Sequence, residues 1–320
     1  MATVSIGIEI GGTKLQAGVG PADGRRLGLA RCRVDAPRGA AGIREAIPGL
    51  VRDALAQAGA TGRDVAGVGV GFGGPVDSRR GTILLSHQIE GWQGFPLLAW
   101  LEERWGRPAA VQNDASLAGY AEAMIGAGRG RRRIFFVTLG SGVGGGLVTD
   151  GAIEEGQGLG AAEIGHTWVP DPSTGGAVHL EDVCSGWSIG RRARELLARG
   201  KAPGLAELAG GRPEAMTAQT VHAAAEAGNA EARALLEETA RTLALGLGTV
   251  VALLNPERFV IGGGVSLMGP LFWDPLREHL RQRAFGPFAG SFDVVRAELG
   301  EEVVVAGGIL LGHRAAPASR

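Results

Sequence analysis

Four glycine clusters constrain this chain more than any other feature. They are GIEIGGTK (7–14), GVGVGFGGP (67–75), LGSGVGGG (139–146) and VIGGGVS (260–266), and each follows or ends a run rich in Val, Ile or Phe. Glycine inside regular structure costs about 0.5–1 kcal/mol against alanine. Clusters at the ends of apolar runs therefore mark turns where backbone approaches something closely. A Gly- and Ala-rich composition explains the total of 56 glycines; it explains their placement less well.

The stretches between the clusters read as alternating strands and helices. TVSIGIEI (3–10) is a buried strand, GGT a turn, and KLQAGVG (14–20) its hairpin partner. RLGLARCRV adds a third strand. The segment 40–59 has apolar residues at helical spacing and stops at Gly59, with Pro48 expected to kink it or to start its main body. VAGVGVGF is a strand, FPLLAWLEERWG a helix, and PAAVQ a short strand entering NDASLAGYAEAMIGAG, a helix that Asn113 or Asp114 can cap. RIFFVTLGSGVGGGLVTDGAI (133–153) reads as a second hairpin. Helices follow at 186–200, 217–228 and 229–254, the last stopping at Asn255-Pro256. RFVIGGG is a strand, MGPLFWDPLREHLRQRA a helix, FDVVRAEL a strand, and VVVAGGILLGHR a closing apolar helix before a frayed tail, AAPASR. The same plan occurs twice, which predicts a two-lobed α/β protein with a cleft between the lobes. The expected division is 1–113, closed by the C-terminal helix 304–318, and 114–303.

Composition excludes several classes. The net charge of -1 carries no footprint of a nucleic-acid binder. The basic run GRGRRR ending at Arg133 reads as a solvated loop before a strand. Two cysteines, Cys32 and Cys184, rule out a disulfide framework and suit a reducing compartment. The first residues show no signal peptide, and the apolar tract TLALGLGTVVALL is shorter than the ~20 residues a membrane span needs. A soluble, cytoplasmic protein is expected, with no membrane partner.

Several residues carry candidate chemistry. In GIEIGGTK, Glu9 stands at a strand end before Gly11, Gly12, Thr13 and Lys14. Backbone N–H groups in such a turn, with a hydroxyl and an ammonium, cradle phosphate oxygens; a plain hairpin turn is the alternative. Lys14 is one of only two lysines, with Lys201, in a chain that otherwise uses Arg, which points to a need for a compact charge. In LGSGVGGG, Ser141 can bond a phosphate while Gly140, Gly142 and Gly144 allow close approach. No GK[ST] follows, so it is not a P-loop. Asp114 in QNDAS caps a helix or, beside a phosphate turn, takes a proton from an attacking hydroxyl. The stretch Gly158–Gly186 gathers Glu163, His166, His179, Glu181 and Cys184, open to three readings: a metal site, a catalytic site, or a polar pocket for a ligand rich in hydroxyls.

Taken in order, GIEIGGTK, GGPVD, IEGW, QNDAS, LGSGVGGG, AEIGH, LEDVCSG and VIGGGVS resemble the ROK family (repressors, open reading frames, kinases) over residues 4 to 313. The resemblance is to its bacterial glucokinase branch. It implies an actin-like ATPase (ribonuclease H-like) fold, Mg²⁺ and ATP, and phosphorylation of the 6-hydroxyl of glucose with Asp114 as general base. It implies that Gly74, Asn113, Asp114, Glu163, His166 and Glu181 hold the sugar. Glu9, Gly11, Gly12, Thr13 and Lys14 would form the first phosphate loop, with Gly140, Ser141 and Gly142 as the second. Gly262, Gly263 and Gly264 would lie near the adenosine. A homodimer is the implied assembly. A pyranose suits such a pocket, because each hydroxyl both donates and accepts and carboxylates, an amide and an imidazole satisfy them.

The chain departs from the family's pattern in places. The family's zinc cysteines after EIGH are missing from TWVPDPSTGGAVHLE. The structural zinc is therefore expected to be lost, with His166, His179 and Cys184 as weak replacement ligands, since tetrahedral zinc wants four. Glu9 replaces the usual Asp near Mg²⁺, Gln88 an Asn, and Ala162 a Gly. Two other functions compete. A kinase for another hexose or an N-acetylhexosamine would share these motifs. A non-catalytic ROK sugar-binding protein or regulator would carry a DNA-binding segment before the first strand, and here the strand begins within a few residues of Met1.

Overall fold

The computed structural model describes residues 3–86, 88–210 and 212–317. The last three residues of the expected frayed tail, and the expected end of the closing helix at 318, lie outside the described residues. Contacts divide the chain into two compact units: Met1–Arg132 with Gly146–Ala161 and Glu298–Arg320, and Arg133–Gly145 with Ala162–Ala297.

The first unit is built on β1 (Val4–Ile10), β2 (Lys14–Gly20), β3 (Gly28–Arg33), β4 (Val65–Phe72) and β7 (Ala109–Asn113), in the order β3-β2-β1-β4-β7. The hairpin β1–β2 and its neighbour β3 are antiparallel, whereas β4 and β7 add in parallel. A small ribbon of β5 (Val76–Asp77) and β6 (Thr82–Ile83) follows β4. The helices α1 (Gly39–Gln57), α2 (Leu97–Trp105), α3 (Asp114–Ile125) and α10 (Val303–Ala315) complete it. The helix α1 runs unbroken through Pro48, because Ile43, Ile47, Val51 and Ala54 bury one face on both sides of the proline.

The strand expected at VAGVGVGF is β4, and it holds three glycines of the second cluster. Gly67, Gly69 and Gly71 belong to β4, and what approaches them is mostly α10. A Cβ on Gly69 would lie 2.1 Å from Gly308 O, and one on Gly67 2.2 Å from Gly312 O. Gly7 on β1 meets Val305 O in the same way, at 2.2 Å. The closing helix therefore sits directly on the sheet, glycine against glycine. It carries α3 with it, since a Cβ on Gly307 would meet Leu117 O at 2.5 Å. For this reason residues 114–132 and 298–303 pack with the first unit, and the division differs from the expected boundary after residue 113.

In the second unit, β8 (Arg133–Leu139), β13 (Arg258–Gly262) and β14 (Asp293–Arg296) are parallel neighbours, with Phe259 in register with Phe135. Both rings are buried, and their centroids lie 6.0 Å apart. The strand β9 (Val143–Thr149) leaves this unit for the first, where its end pairs with β10 (Ala152–Ile153). Beyond it come a ribbon of β11 (Trp168–Pro170) and β12 (Ala177–His179) and the helices α4 (Glu181–Cys184), α5 (Gly186–Ala198), α6 (Pro203–Ala209), α7 (Ala218–Glu226), α8 (Ala230–Leu254) and α9 (Pro270–Arg283). Asn229 caps α8 by accepting from Ala232 N–H at 2.8 Å. The helix ends where Asn255 turns left-handed, at φ 43°, before Pro256. Among the described residues, no helix is long and apolar enough to cross a membrane.

Candidate active site

In the first unit, the turn after β1 brings the candidate phosphate residues to the candidate base. Gly11 N–H donates to Lys14 O at 3.0 Å and closes the turn, while Gly73 N–H donates to Ile10 O at 2.9 Å. A Cβ on Gly73 would lie 3.4 Å from Asp114 Oδ2 and 3.5 Å from Gly11 Cα. Asp114 and the glycine turn thus face the same glycine. Asn113 caps α3 by accepting from Ala115 N–H (2.9 Å) and Ser116 N–H (3.1 Å). Its Nδ2 donates to Gly74 O at 3.2 Å. The cap and the Gly73-Gly74 corner therefore hold each other, and Asp114 stands at the start of a rigid helix. Gln88 lies over the turn, its amide oxygen 1.5 Å from where a Cβ on Gly12 would be, so Gly12 has no room for a side chain unless that amide moves.

Glu9 on β1 faces Gln16 on β2, their residues in direct register. Gln16 Nε2 donates to Glu9 Oε2 at 2.6 Å, and Lys14 Nζ lies 3.4 Å from Glu9 Oε1. Burial pushes the Glu9 carboxyl above its ordinary value, against the pull of Lys14 and Gln16. Gln16 is fully buried and its Oε1 has no partner among the described residues. Sequence reasoning missed Gln16; its one signal was a carboxamide inside an otherwise apolar strand.

In the second unit, Glu163, His166 and Glu181 come together around the turn after β8. Val143 N–H donates to Glu181 Oε2 at 3.2 Å, and a Cβ on Gly142 would lie 2.9 Å from the same oxygen. Glu163 keeps solvent access, yet desolvation by the surrounding chain raises its carboxyl. The charge of His166 offsets that rise and the charge of Glu181 reinforces it. Glu163 follows Ala162, a non-glycine residue at φ 67°; the left-handed backbone expected of glycine is kept with an alanine in it.

The weak metal candidates have other occupations. His179 stands edge-on to His166, ring centroids 5.4 Å apart, and Trp168 stacks on His179 at 4.4 Å. Cys184 is buried, donates to Thr239 O at 3.6 Å, and has its thiol pushed up to about 12 by burial. Among the described residues, no group of three His, Cys, Asp or Glu side chains is placed to hold a metal ion. The ribbon β11–β12 is an antiparallel pair with Trp168 opposite His179, and their rings are in contact.

A cavity of about 560 Å³ opens within the second unit, with Gly140, Ser141 and Gly264 on its wall beside Trp187, Arg194 and His222. Two glycine turns shape it. Gly186 N–H donates to Gly140 O at 2.7 Å, and a Cβ on Gly263 would lie 2.5 Å from the Leu139 carbonyl. Gly262 faces Phe136 and Ala297. Of the three glycines 262–264, then, Gly264 lines the cavity and the other two hold its wall. Trp187, Arg194 and His222 were not legible in the sequence, because nothing in a helix's spacing says which exposed face borders a hole.

Comparison with known proteins gives the family. The family model described as ROK family matches residues 5–315. A glucokinase of Streptomyces coelicolor is 32% identical over 321 residues, covering 98% of this chain and 99% of its own. A glucokinase of Halalkalibacterium halodurans is 33% identical over 308 residues, covering 95% and 93%. The crystal structure of a ROK family glucokinase from Streptomyces griseus in complex with glucose and AMPPNP is 33% identical, with a TM-score of 0.81 over 97% of this chain and 99% of that one. The two sheets and their helices have the actin-like ATPase fold of these sugar kinases. With a match that spans nearly the whole chain, the protein belongs to the ROK family.

Proposed function

We propose that the protein is an ATP-dependent hexose kinase that phosphorylates the 6-hydroxyl of glucose. Its similarity to glucokinases over 93–99% of their length supports the substrate. The observation that carries the mechanism is the approach of Asp114 and the Gly11 turn to one glycine, Gly73. A base beside a phosphate turn is the arrangement that phosphoryl transfer to an alcohol requires.

Asp114 takes the proton of the sugar hydroxyl as its oxygen bonds to the γ-phosphorus. The bond from that phosphorus to the β-bridging oxygen breaks, and ADP leaves with the electron pair. The N–H groups of the 11–14 turn and the Lys14 ammonium stabilise charge spreading over the γ-oxygens. Gly140, Ser141 and Gly264 line the space for the nucleotide. Asn113, Glu163, His166 and Glu181, with the Gly74 backbone, hold the remaining sugar hydroxyls.

The donor set fits Mg²⁺. One carboxylate, Glu9, stands at the phosphate turn, and Mg²⁺ characteristically takes one or two carboxylates and completes its shell with phosphate oxygens and water. Bound there, the ion would neutralise phosphate charge. The same reading includes a homodimer, which sedimentation of the purified chain measures directly.

The test is ADP release with Mg-ATP against a panel of hexoses and N-acetylhexosamines, for wild type and Asp114→Asn. Turnover on glucose that falls about 10²–10⁴-fold in the variant, with the fold intact, is expected. No turnover on any sugar by folded wild type would sink the kinase reading. Preference for another sugar would replace glucose and leave the mechanism standing.

A further inference from the structure

Glu122 is a buried carboxylate that the chemistry above does not use. It lies on α3, eight residues after Asp114 and so about 12 Å along the helix axis, with no exposed surface. Three backbone N–H groups donate to it. Ala127 donates to Oε2 at 2.8 Å, and Glu298 and Leu299 both donate to Oε1 at 2.9 Å. The first anchors the turn that ends α3. The other two belong to the segment between β14 and α10, far away in sequence.

That segment leads straight to the phosphate turn. Two residues beyond Leu299, the Glu301 carbonyl accepts from Lys14 Nζ at 3.1 Å and from Gln16 Nε2 at 3.4 Å. The same two groups serve Glu9: Gln16 Nε2 donates to its Oε2, and Lys14 lies beside its Oε1. All of these residues belong to the first unit. A connected path therefore runs from Glu122 by hydrogen bonds to the 298–299 backbone, along the chain to the Glu301 carbonyl, and by further hydrogen bonds and an ion pair to Lys14, Gln16 and Glu9.

We infer that Glu122 is a positioning residue for the phosphoryl donor: it fixes the 298–301 segment so that the Glu301 carbonyl holds Lys14 and Gln16, and through them Glu9, in register with the turn. This rests on the kinase reading. Packing alone does not call for a carboxylate here, because an apolar side chain fills a core site without the cost of desolvating a charge. What an apolar residue cannot do is accept three N–H groups from two separate segments at once. Because Glu122 shares α3 with Asp114, one helix then carries the base at its start and the anchor of the donor site at its end. Flexible side chains such as lysine deliver charge to a phosphate only when held, and a carbonyl fixed from behind holds one without neutralising it.

The experiment is steady-state kinetics and AMPPNP calorimetry on Glu122→Gln in the full chain. The amide matches the carboxylate in size, but one of its ends donates and must face an N–H. The expected result is a rise of about fivefold or more in KM for ATP and in the AMPPNP Kd, with KM for glucose within twofold of wild type. If both KM values hold and kcat falls only with the folded fraction, Glu122 is a structural staple and the inference is overturned. If Glu122→Gln does not fold, Leu299→Pro removes one of the same donors at a residue whose φ of -82° is near that of proline, and the same split is expected. Calorimetry separates the two readings. Wild type that binds AMPPNP without turning over any sugar defeats the kinase reading while the Kd still decides the role of Glu122; wild type that binds no AMPPNP defeats both.

Discussion

Gly263→Ala is the sharpest test of how the glycine turns make the cavity proposed to take the nucleotide. Gly263 has φ 81°, where an L-residue costs roughly 1–2 kcal/mol. Its new Cβ would lie 2.5 Å from the carbonyl carbon and oxygen of Leu139 and 2.7 Å from its nitrogen. Those are backbone atoms that cannot rotate away. The Gly263 carbonyl is itself held by Ser266, whose N–H and hydroxyl donate to it at 3.1 and 2.7 Å. One of the two turns must move, at an overpacking cost of about 1–3 kcal/mol. Alanine's smaller unfolded-state entropy returns about 0.4–1 kcal/mol. The net destabilisation is about 3 kcal/mol, or roughly 6–12 °C in Tm for a domain of 150–250 residues. Leu139 leads directly into Gly140 and Ser141 on the cavity wall, so KM for ATP should rise on the order of tenfold by the effect of small displacements at a binding site. Differential scanning calorimetry and ATP titration of the kinase rate measure both. Gly290→Ala is the control, since its Cβ would meet nothing within 4 Å; a change within about 0.5 kcal/mol is expected. A Gly263→Ala protein within 2 °C of wild type with an unchanged KM, to the ~1 °C precision such comparisons need, would refute the reasoning.

Two further outcomes are expected. The Glu9 carboxyl is raised above its ordinary value of 4.5, chiefly by burial. Between the unfolded value and the raised folded one, the folded chain holds the proton more tightly, so wild-type stability falls as pH rises through that window. Glu9→Gln lacks this loss, so its denaturation midpoint should gain on wild type from pH 4.5 upward while its kinase activity drops; an equal gap at pH 4 and pH 8 would count against it. Cys184, buried and with its thiol at about 12, should resist an aromatic disulfide reagent at pH 8 until the chain unfolds, leaving Cys32 as the one thiol titrated in the native protein. Rapid native labelling of both cysteines would contradict the burial of Cys184.

The legible parts of this fold are those written in local pattern. The hairpin β1–β2, the helix capped by Asn113 and the stop of α8 at Asn255-Pro256 each follow from a few adjacent residues whose chemistry admits one local structure. The turn at Gly11–Lys14 and the helix start at Asp114 follow from local pattern in the same way; their roles are part of the proposed function. The strand at VAGVGVGF was legible, but the purpose of its glycines was not, because two unlike demands select the same residue. A turn needs glycine for its backbone angles, and a strand under a close helix needs it for the absent Cβ. Only the partner, α10, which lies some 240 residues later, distinguishes the two. The boundary after residue 113 failed on the same fact, since α3 goes wherever α10 holds it.

The site's supports were hidden more deeply than its reactive groups, and for a physical reason. Lys14 and Asp114 stand out in sequence because one opens the strand after a glycine turn and the other opens a helix, and Glu9 because it lies near the end of the strand before that turn. Gln16 and Glu122 act through backbone carbonyls and N–H groups that every residue possesses, so the other half of each bond leaves no mark in the sequence. The Glu301 carbonyl is the case in point: Lys14 and Gln16 both donate to it, and no choice of side chain at position 301 would reveal it. The loop without the family's cysteines shows the converse. Its His179 ring meets His166 edge-on and Trp168 at a tilt, contacts in which ring faces and edges attract without any ligand geometry. A metal site can be recognised by its spacing because four ligands must meet one ion. Ring contacts obey no such spacing rule, so these partners leave no pattern in sequence, while the fold keeps His166 beside Glu163.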